Sequence, residues 1–383
     1  MGWPGSKPSA SGHPDTVTPV TITAPDYAGT GLLNLIAELE RRLTGSAPAP
    51  GLSEPAHLPD ARGYVLVLFD GLGSHQLSHP DAADLAAHHL TDLDAGFPTT
   101  TTTSLATLVT GLPPRRHGII GHLLHLPRLG EVINTLKWAT PTGRPVRADY
   151  AAMLPAPNLF ERLARAGLES ITIQPGAFMG SPLSQMLYRG CRFEPAWTVA
   201  ELIEATLQLA GPDRFVLTYF PGIDVAAHVA GQPSRPYRDA LGEGGRIWHQ
   251  LAARLPPEVG LVGSADHGHR DYSAGDKLLI RERRFEPLRF FGDPRSTYVD
   301  GPADLIADLA AETGATEVPV STLLELLGPP PQHPELPERL PDRLLLAPPG
   351  KLLLPKPFDK RLIGYHGGLE REELEIPLLA RTG

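Results

Sequence analysis

Four short apolar runs constrain this chain more than any other feature. Each is rich in branched residues and lacks clear polar alternation, the pattern of a parallel strand buried on both faces. They are Tyr64 to Phe69, Ser170 to Ile173, Arg214 to Phe220 and Val259 to Gly263. Helical spacing marks Leu32 to Leu43, Leu159 to Ala166, Val199 to Leu209 and Ile247 to Leu255. Strands alternating with helices predict an α/β fold, a mostly parallel central sheet with helices on both faces.

Composition narrows what such a fold does. Hydrophobic residues make up 41% of the 383 and charged residues 20%, which suits a packed core rather than a disordered chain. No apolar run reaches the roughly eighteen residues of a spanning helix, so no membrane partner is expected. The net charge of −9 disfavours a nucleic-acid duplex as partner. A single cysteine, Cys191, excludes an intramolecular disulfide and a multi-cysteine zinc site. No activating pattern surrounds Cys191, so it reads as a packing residue.

Residues 1–24, rich in Ser, Pro, Thr and Gly, read as a flexible N-terminal tail without a basic start or an apolar signal core. With one thiol, the expected location is cytoplasmic. Residues 25–383 form the expected catalytic domain. Within it, 272–357 turns Pro-rich and charge-rich, with helical pieces at Ala303 to Ala311 and Thr322 to Leu327, and reads as an inserted cap or subdomain. Lys277 and Arg281 on that cap read as part of a solvated face. The core resumes near Phe358. Oligomeric state is not legible.

In parallel sheets ligands bind beyond the carboxyl ends of the strands. The first run ends in Asp70-Gly71, the third leads into Asp224, and the fourth leads into Asp266-His267-Gly268. Asp224-x-x-x-His228 on a helix sets carboxylate and imidazole on one face, a pairing that suits a divalent ion. His366, flanked by glycines, is a late candidate. Singly, each has a bland reading as a cap, turn acid or surface pair. Together, three carboxylates and three imidazoles suffice for two ions with three protein ligands each. N and O donors without Cys suit zinc, with manganese as the alternative. Two such ions about 4 Å apart clamp the attacking and leaving oxygens of a phosphoryl transfer.

A nucleophile is offered by the run Thr99 to Thr103, which precedes an apolar stretch stopped at Gly111. A hydroxyl at a helix N-terminus sits where free N–H groups and the helix dipole favour an incoming phosphate. Composition alone does not select among the five threonines.

Taken in order, these motifs resemble the alkaline phosphatase superfamily and, within it, the nucleotide pyrophosphatase/phosphodiesterase branch. The resemblance is collinear from about Tyr64 to Gly368. It rests on Asp70-Gly71, on Phe97-Pro98-Thr99-x-Thr101 with Thr110-Gly111-Leu112 nine residues on, and on Arg116-His117-Gly118-Ile119. Asp224-x-x-x-His228-x-x-Gly231-x-x-Ser234, Asp266-His267-Gly268 and Gly364-Tyr365-His366-Gly367 complete it. The resemblance implies Thr101 as nucleophile and as a contact of the second ion. It implies Asp224, His228 and His366 on one metal, and Asp70, Asp266 and His267 on the other. It also implies attack by the threonine, a phospho-threonine intermediate and a small phosphoester substrate, of which a nucleotide is one candidate. Three residues past Thr101 the family carries Asn, a donor to a phosphoryl oxygen; Ser104 stands there and is the expected substrate contact. Thr102 occupies the family's aromatic stacking place. Those two departures keep a phosphomonoesterase or phosphonate hydrolase as the alternative substrate reading. A catalytically silent metal-binding regulatory protein is the alternative of another class.

The remaining histidines read otherwise. His75, His79, His88, His89, His122 and His125 are expected at the surface or behind the site. His117 is expected to brace the nucleophile helix, and His269 to line the pocket.

Overall fold

The computed structural model describes residues 22–54 and 58–381; the expected tail, 1–24, lies outside the described residues except for its last three positions. The four apolar runs lie in a seven-stranded sheet. Its order is His89–Asp94, Glu375–Ala380, Val259–Ser264, Gly63–Phe69, Arg214–Phe220, Glu169–Pro175, Arg192–Ala196. Gly63–Phe69 pairs in parallel on both sides, Tyr64 lying opposite Phe215 and opposite Gly260. Every residue of Gly63–Phe69 and of Val259–Ser264 is buried, which is why neither alternates.

Register decides where the chemistry lands. Phe69 is level with Phe220, and Leu68 with Ser264. The segments carrying Asp70, Asp224 and Asp266 therefore leave the sheet at one rim. Glu375–Ala380 runs antiparallel to Val259–Ser264 and so returns the chain from that same rim, bringing the segment that holds His366.

The helix expected from Ile247 begins twelve residues earlier and spans Arg235–Arg254. Ser234 caps it, its hydroxyl accepting from the Tyr237 N–H, with a proline in the first turn. Gly242, Gly244 and Gly245 hide its first half from a periodicity reading. Gly244 has a packing reason: a Cβ there would stand 3.5 Å from Ile223 and 3.6 Å from Leu85 and Phe69.

A second sheet of six strands flanks the first, in the order Thr316–Val318, Arg343–Leu346, Ser296–Asp300, Arg289–Gly292, Leu123–Leu126, Glu131–Asn134. Residues 272–357 supply four of these strands; the hairpin of Leu123–Leu126 and Glu131–Asn134 joins through Gly292 opposite Leu123. A smaller apolar core, including Phe285, Val299, Ile306 and Leu345, packs behind it. No described helix is long and apolar enough to cross a membrane.

Arg295, 4% exposed, joins the second sheet to the segment after His366. Its guanidinium meets Glu370 at 2.9 Å and Glu373 at 3.2 Å, and donates to the Pro348 carbonyl at 3.1 Å. Glu373 is fully buried, so an Arg295→Met variant strands a carboxylate in the interior. A loss of about 3–5 kcal/mol in urea-unfolding stability is expected. Arg284→Met, which breaks an exposed pair with Glu282 and Glu312, is expected to cost below about 1 kcal/mol.

Candidate active site

Asp70 follows the central strand directly; its N–H donates to the Phe220 carbonyl at 3.0 Å. Tyr219 donates to its Oδ2, while its Oδ1 is buried without a hydrogen-bond partner. Asp266 is fully buried. Its Oδ1 accepts from the N–H groups of Gly71 and His267, both at 3.1 Å, and its Oδ2 has no partner. His267 Nε2 stands 3.6 Å from Asp70 Oδ1, 3.4 Å from Asp266 Oδ2 and 3.1 Å from Thr101 Oγ1. These three ligand candidates thus surround one point beside the threonine.

The second cluster rises from the helix Gly222–Ala230, where Asp224 and His228 share a face. His228 Nε2 lies 3.4 Å from Asp224 Oδ1 and 3.3 Å from His366 Nε2. His366 arrives on the loop after Gly364–Tyr365, a two-residue strand paired with Arg270–Asp271. Ligating atoms of Asp224, His228, His269 and His366 lie within 4.8 Å of one another, as do those of Asp70, Asp266 and His267. All six residues read as ligands in the sequence are therefore brought together, in the two groups the resemblance implied.

Hydrogen bonds fix the tautomers. His228 Nδ1 bonds the Gly364 carbonyl at 2.8 Å, His366 Nδ1 the Thr99 carbonyl at 2.8 Å, and His267 Nδ1 the Gly268 carbonyl at 3.0 Å. A carbonyl only accepts, so each Nδ1 carries the proton and each Nε2 turns a lone pair inward. Two such lone pairs at 3.3 Å repel unless a cation lies between them. Buried carboxylates add to this demand. Burial and the charges of Asp266 and Asp224 hold the Asp70 carboxyl well above its usual range, and burial raises Asp266 too. The donor set therefore fits divalent cations, and the lack of Cys suits zinc or manganese.

His269 is placed behind the cluster rather than in open pocket. It is fully buried, its Nε2 bonds Asp224 Oδ1 at 2.9 Å, and its Nδ1 has no partner. Its Nε2–H therefore donates, fixing the Asp224 carboxylate. The sequence carried no signal for this bond, which joins a loop to a helix.

Thr101 is the first residue of the helix Thr101–Thr110, which closes at Gly111 with φ 64°. Its first intrahelical N–H bond is Ser104 to Thr100, so the N–H groups of Thr101, Thr102 and Thr103 have no intrahelical acceptor. His117 braces this helix, its Nε2 lying 3.0 Å from Thr107 Oγ1. Ser104 is fully buried, its hydroxyl has no hydrogen-bond partner, and it lines neither of the two cavities that reach Thr101.

Of those cavities, one holds about 330 Å³ and is walled mainly by Leu105, Leu136, Phe178, Leu187, Tyr188 and Tyr219. The other holds about 560 Å³ and is the more polar of the two, with Thr100, His122, Asn134, His228, Arg361 and His366 among its walls. Lys137 lines both. It has no ion-pair partner among the described residues. His122, expected at the surface or behind the site, instead faces the polar cavity. His125 packs its ring against Phe291, and His88 and His89 bond Asp84 and Asp92 locally.

A model of the type I phosphodiesterase / nucleotide pyrophosphatase family matches residues 64–288, more than half of the chain. No curated protein matches it in sequence. Among solved structures, murine ectonucleotide pyrophosphatase/phosphodiesterase 5 is similar with a TM-score of 0.63 at 18% identity, covering 82% of this chain and 87% of that one. An inactive variant of the same murine protein in complex with AMP gives 0.61 at 18% identity, with the same coverage. Phosphonoacetate hydrolase from Sinorhizobium meliloti in complex with phosphonoformate gives 0.62 at 18% identity, covering 85% and 91%. Members of the matched family depend on divalent metal ions, and the two clusters supply candidate sites for them. The fold is that of the alkaline phosphatase superfamily, and the chain belongs to the type I phosphodiesterase / nucleotide pyrophosphatase family of phosphoric ester hydrolases.

Proposed function

We propose that this hydrolase cleaves phosphodiester or phosphoanhydride bonds, with Thr101 as its nucleophile. The observation that carries this reading is the position of Thr101 where two cavities meet, one strongly apolar and the other more polar. A phosphorus atom held at Thr101 has room for a substituent on each side, as a diester requires and a monoester does not. Aromatic and aliphatic walls of the 330 Å³ cavity suit an organic group such as a nucleoside.

In this reading Asp224, His228 and His366 hold one divalent ion and Asp70, Asp266 and His267 the other, with Thr101 Oγ1 toward the second. When bound, the ions supply Lewis-acid charge that favours the threonine alkoxide and neutralises phosphoryl oxygens. The chain does the rest. Free N–H groups at the start of the Thr101–Thr110 helix attract the phosphoryl oxygens. Thr101 Oγ1 attacks phosphorus in line, the bond to the leaving oxygen breaks, and a phospho-threonine forms. Water entering from the opposite side then cleaves that ester, returning the threonine and releasing the second product.

Lys137 supports a narrower form of the proposal. An ammonium bordering both cavities, with no carboxylate of the described residues in ion-pair contact, favours a substrate with a second anionic group, such as the adjoining phosphate of a nucleotide pyrophosphate. The carboxylate of a phosphonoacetate-like substrate meets the same requirement, so a phosphonate hydrolase is the second reading.

In metal-loaded protein, kcat/KM for bis(p-nitrophenyl) phosphate is expected to exceed that for p-nitrophenyl phosphate by roughly tenfold or more. Preference for the monoester, or for phosphonoacetate over both, contradicts the diester reading. Thr101→Ala is expected to lower kcat at least about a thousandfold. Retained turnover removes Thr101 from the nucleophile's role.

Dialysis against a chelator is expected to abolish turnover, and zinc or manganese to restore it. Full activity in protein shown to be metal-free contradicts the two-ion reading.

A further inference from the structure

Residues 355–363 run between the strands Leu352–Leu354 and Gly364–Tyr365 without helix or strand of their own. They leave the cap and re-enter the core shortly before His366. On the way Lys356, Phe358, Asp359, Arg361 and Leu362 wall the more polar of the two cavities that reach Thr101. An irregular wall has no ladder of backbone hydrogen bonds to hold it, so its anchors decide its shape. Most of its bonds are internal. The Phe358 N–H donates to the Pro355 carbonyl at 3.2 Å, and the Arg361 guanidinium donates to the Asp359 carboxylate at 2.9 and 2.6 Å. Tyr365, on the strand that follows, donates its hydroxyl to the Asp359 carbonyl at 2.7 Å.

The outside anchor is Lys277. Its Nζ donates to the Lys360 carbonyl at 3.1 Å and to the Leu362 carbonyl at 2.5 Å, and stands 5.4 Å from the centre of the Tyr365 ring. Among the described residues, no other group outside 355–365 hydrogen-bonds residues 356–362. The outward ion pair of Lys356 with Glu286, at 3.9 Å, is exposed and adds little. Lys277, expected on a solvated face, is instead half-buried, and no carboxylate of the described residues is in ion-pair contact with it. Its charge is spent on the two carbonyls, which makes those bonds charge-assisted. The lysine is itself fixed: Lys277–Leu279 pairs in parallel with Leu352–Leu354, Lys277 lying opposite Leu352. Directly after the clamp the chain is fastened again, the Ile363 N–H donating to the His228 carbonyl at 2.8 Å and its carbonyl accepting from the Tyr272 N–H at 2.9 Å.

We propose that Lys277 is a positioning residue for substrate binding. Its ammonium holds residues 359–362 as a wall of the more polar cavity, so that the substituent lying on that side of Thr101 meets a preformed surface. The consequence for turnover rests on the hydrolase reading of the site; the clamp does not.

Three measurements test it. Backbone amide exchange, followed by mass spectrometry, is expected to speed up about tenfold or more across 356–362 in Lys277→Met, while Thr101–Thr110 keeps its protection. Unchanged exchange in 356–362 overturns the proposal. Lys277→Cys, made in a Cys191→Ser background and alkylated with bromoethylamine, rebuilds an ammonium on a side chain of the same length. Exchange is expected to return to within about threefold of the parent, and failure to recover overturns the role of the charge. On bis(p-nitrophenyl) phosphate, Lys277→Met is expected to raise KM about tenfold with kcat within about threefold of the parent, and an unchanged KM overturns the proposal. If the parent hydrolyses no ester, the functional reading fails while amide exchange still decides the clamp. If Lys277→Met does not fold, nitrogen relaxation of the parent's lysine ammonium groups, assigned with Lys277→Arg, decides it: the Lys277 Cε–Nζ axis is expected to be ordered, with an order parameter above about 0.6, and a freely mobile axis overturns the proposal.

Discussion

The site is organised by an electrostatic demand. Asp70 and Asp266 each present a buried carboxylate oxygen without a hydrogen-bond partner, and His228 and His366 face one another through lone pairs at 3.3 Å. In a protein interior such groups raise the free energy of the fold unless positive charge lies among them. Divalent cations meet that demand in both clusters at once, so the metal centre and the local stability of the rim are one problem.

The rest of the rim serves to hold those groups in place. Three imidazoles are anchored by backbone carbonyls of Gly364, Thr99 and Gly268 rather than by carboxylates, which leaves the side-chain oxygens free to face the two candidate metal sites. Glycine makes two close approaches feasible. At Gly268 a Cβ would lie 2.0 Å from the Glu372 carbonyl oxygen; Gly71, at φ 74°, would press a Cβ to 2.9 Å from Asp224. Thr99 adds a clasp, donating to the Gly368 carbonyl and accepting from the Gly367 N–H, both at 3.0 Å. The loop bearing His366 is thereby fastened beside Thr101.

What the sequence discloses follows from where each residue lies. Arg214–Phe220 is legible to the residue because both its faces are covered. His89–Asp94 and Glu375–Ala380 are not: the first is largely exposed and mixes charge with apolar residues, and the second carries Pro377 and a shift of register. The first half of the Arg235–Arg254 helix is masked by Gly242, Gly244 and Gly245, of which Gly244 answers to tertiary packing against Ile223, Leu85 and Phe69. In the site, the residues that leave strand ends or share one helix face could be assembled by order and spacing. Ser104 and His122 could not be ranked that way. Ser104 turns inward on its helix, and His122 reaches the cavity only because the Leu123–Asn134 hairpin joins a second sheet by a long-range pairing.

The most direct test of two cations beside one threonine is anomalous diffraction at the zinc edge from crystals grown with that ion. The account requires two peaks about 4 Å apart, one among Asp224, His228 and His366 and the other among Asp70, Asp266 and His267, the second next to Thr101 Oγ1. A single peak, none, or density centred away from these side chains would contradict it.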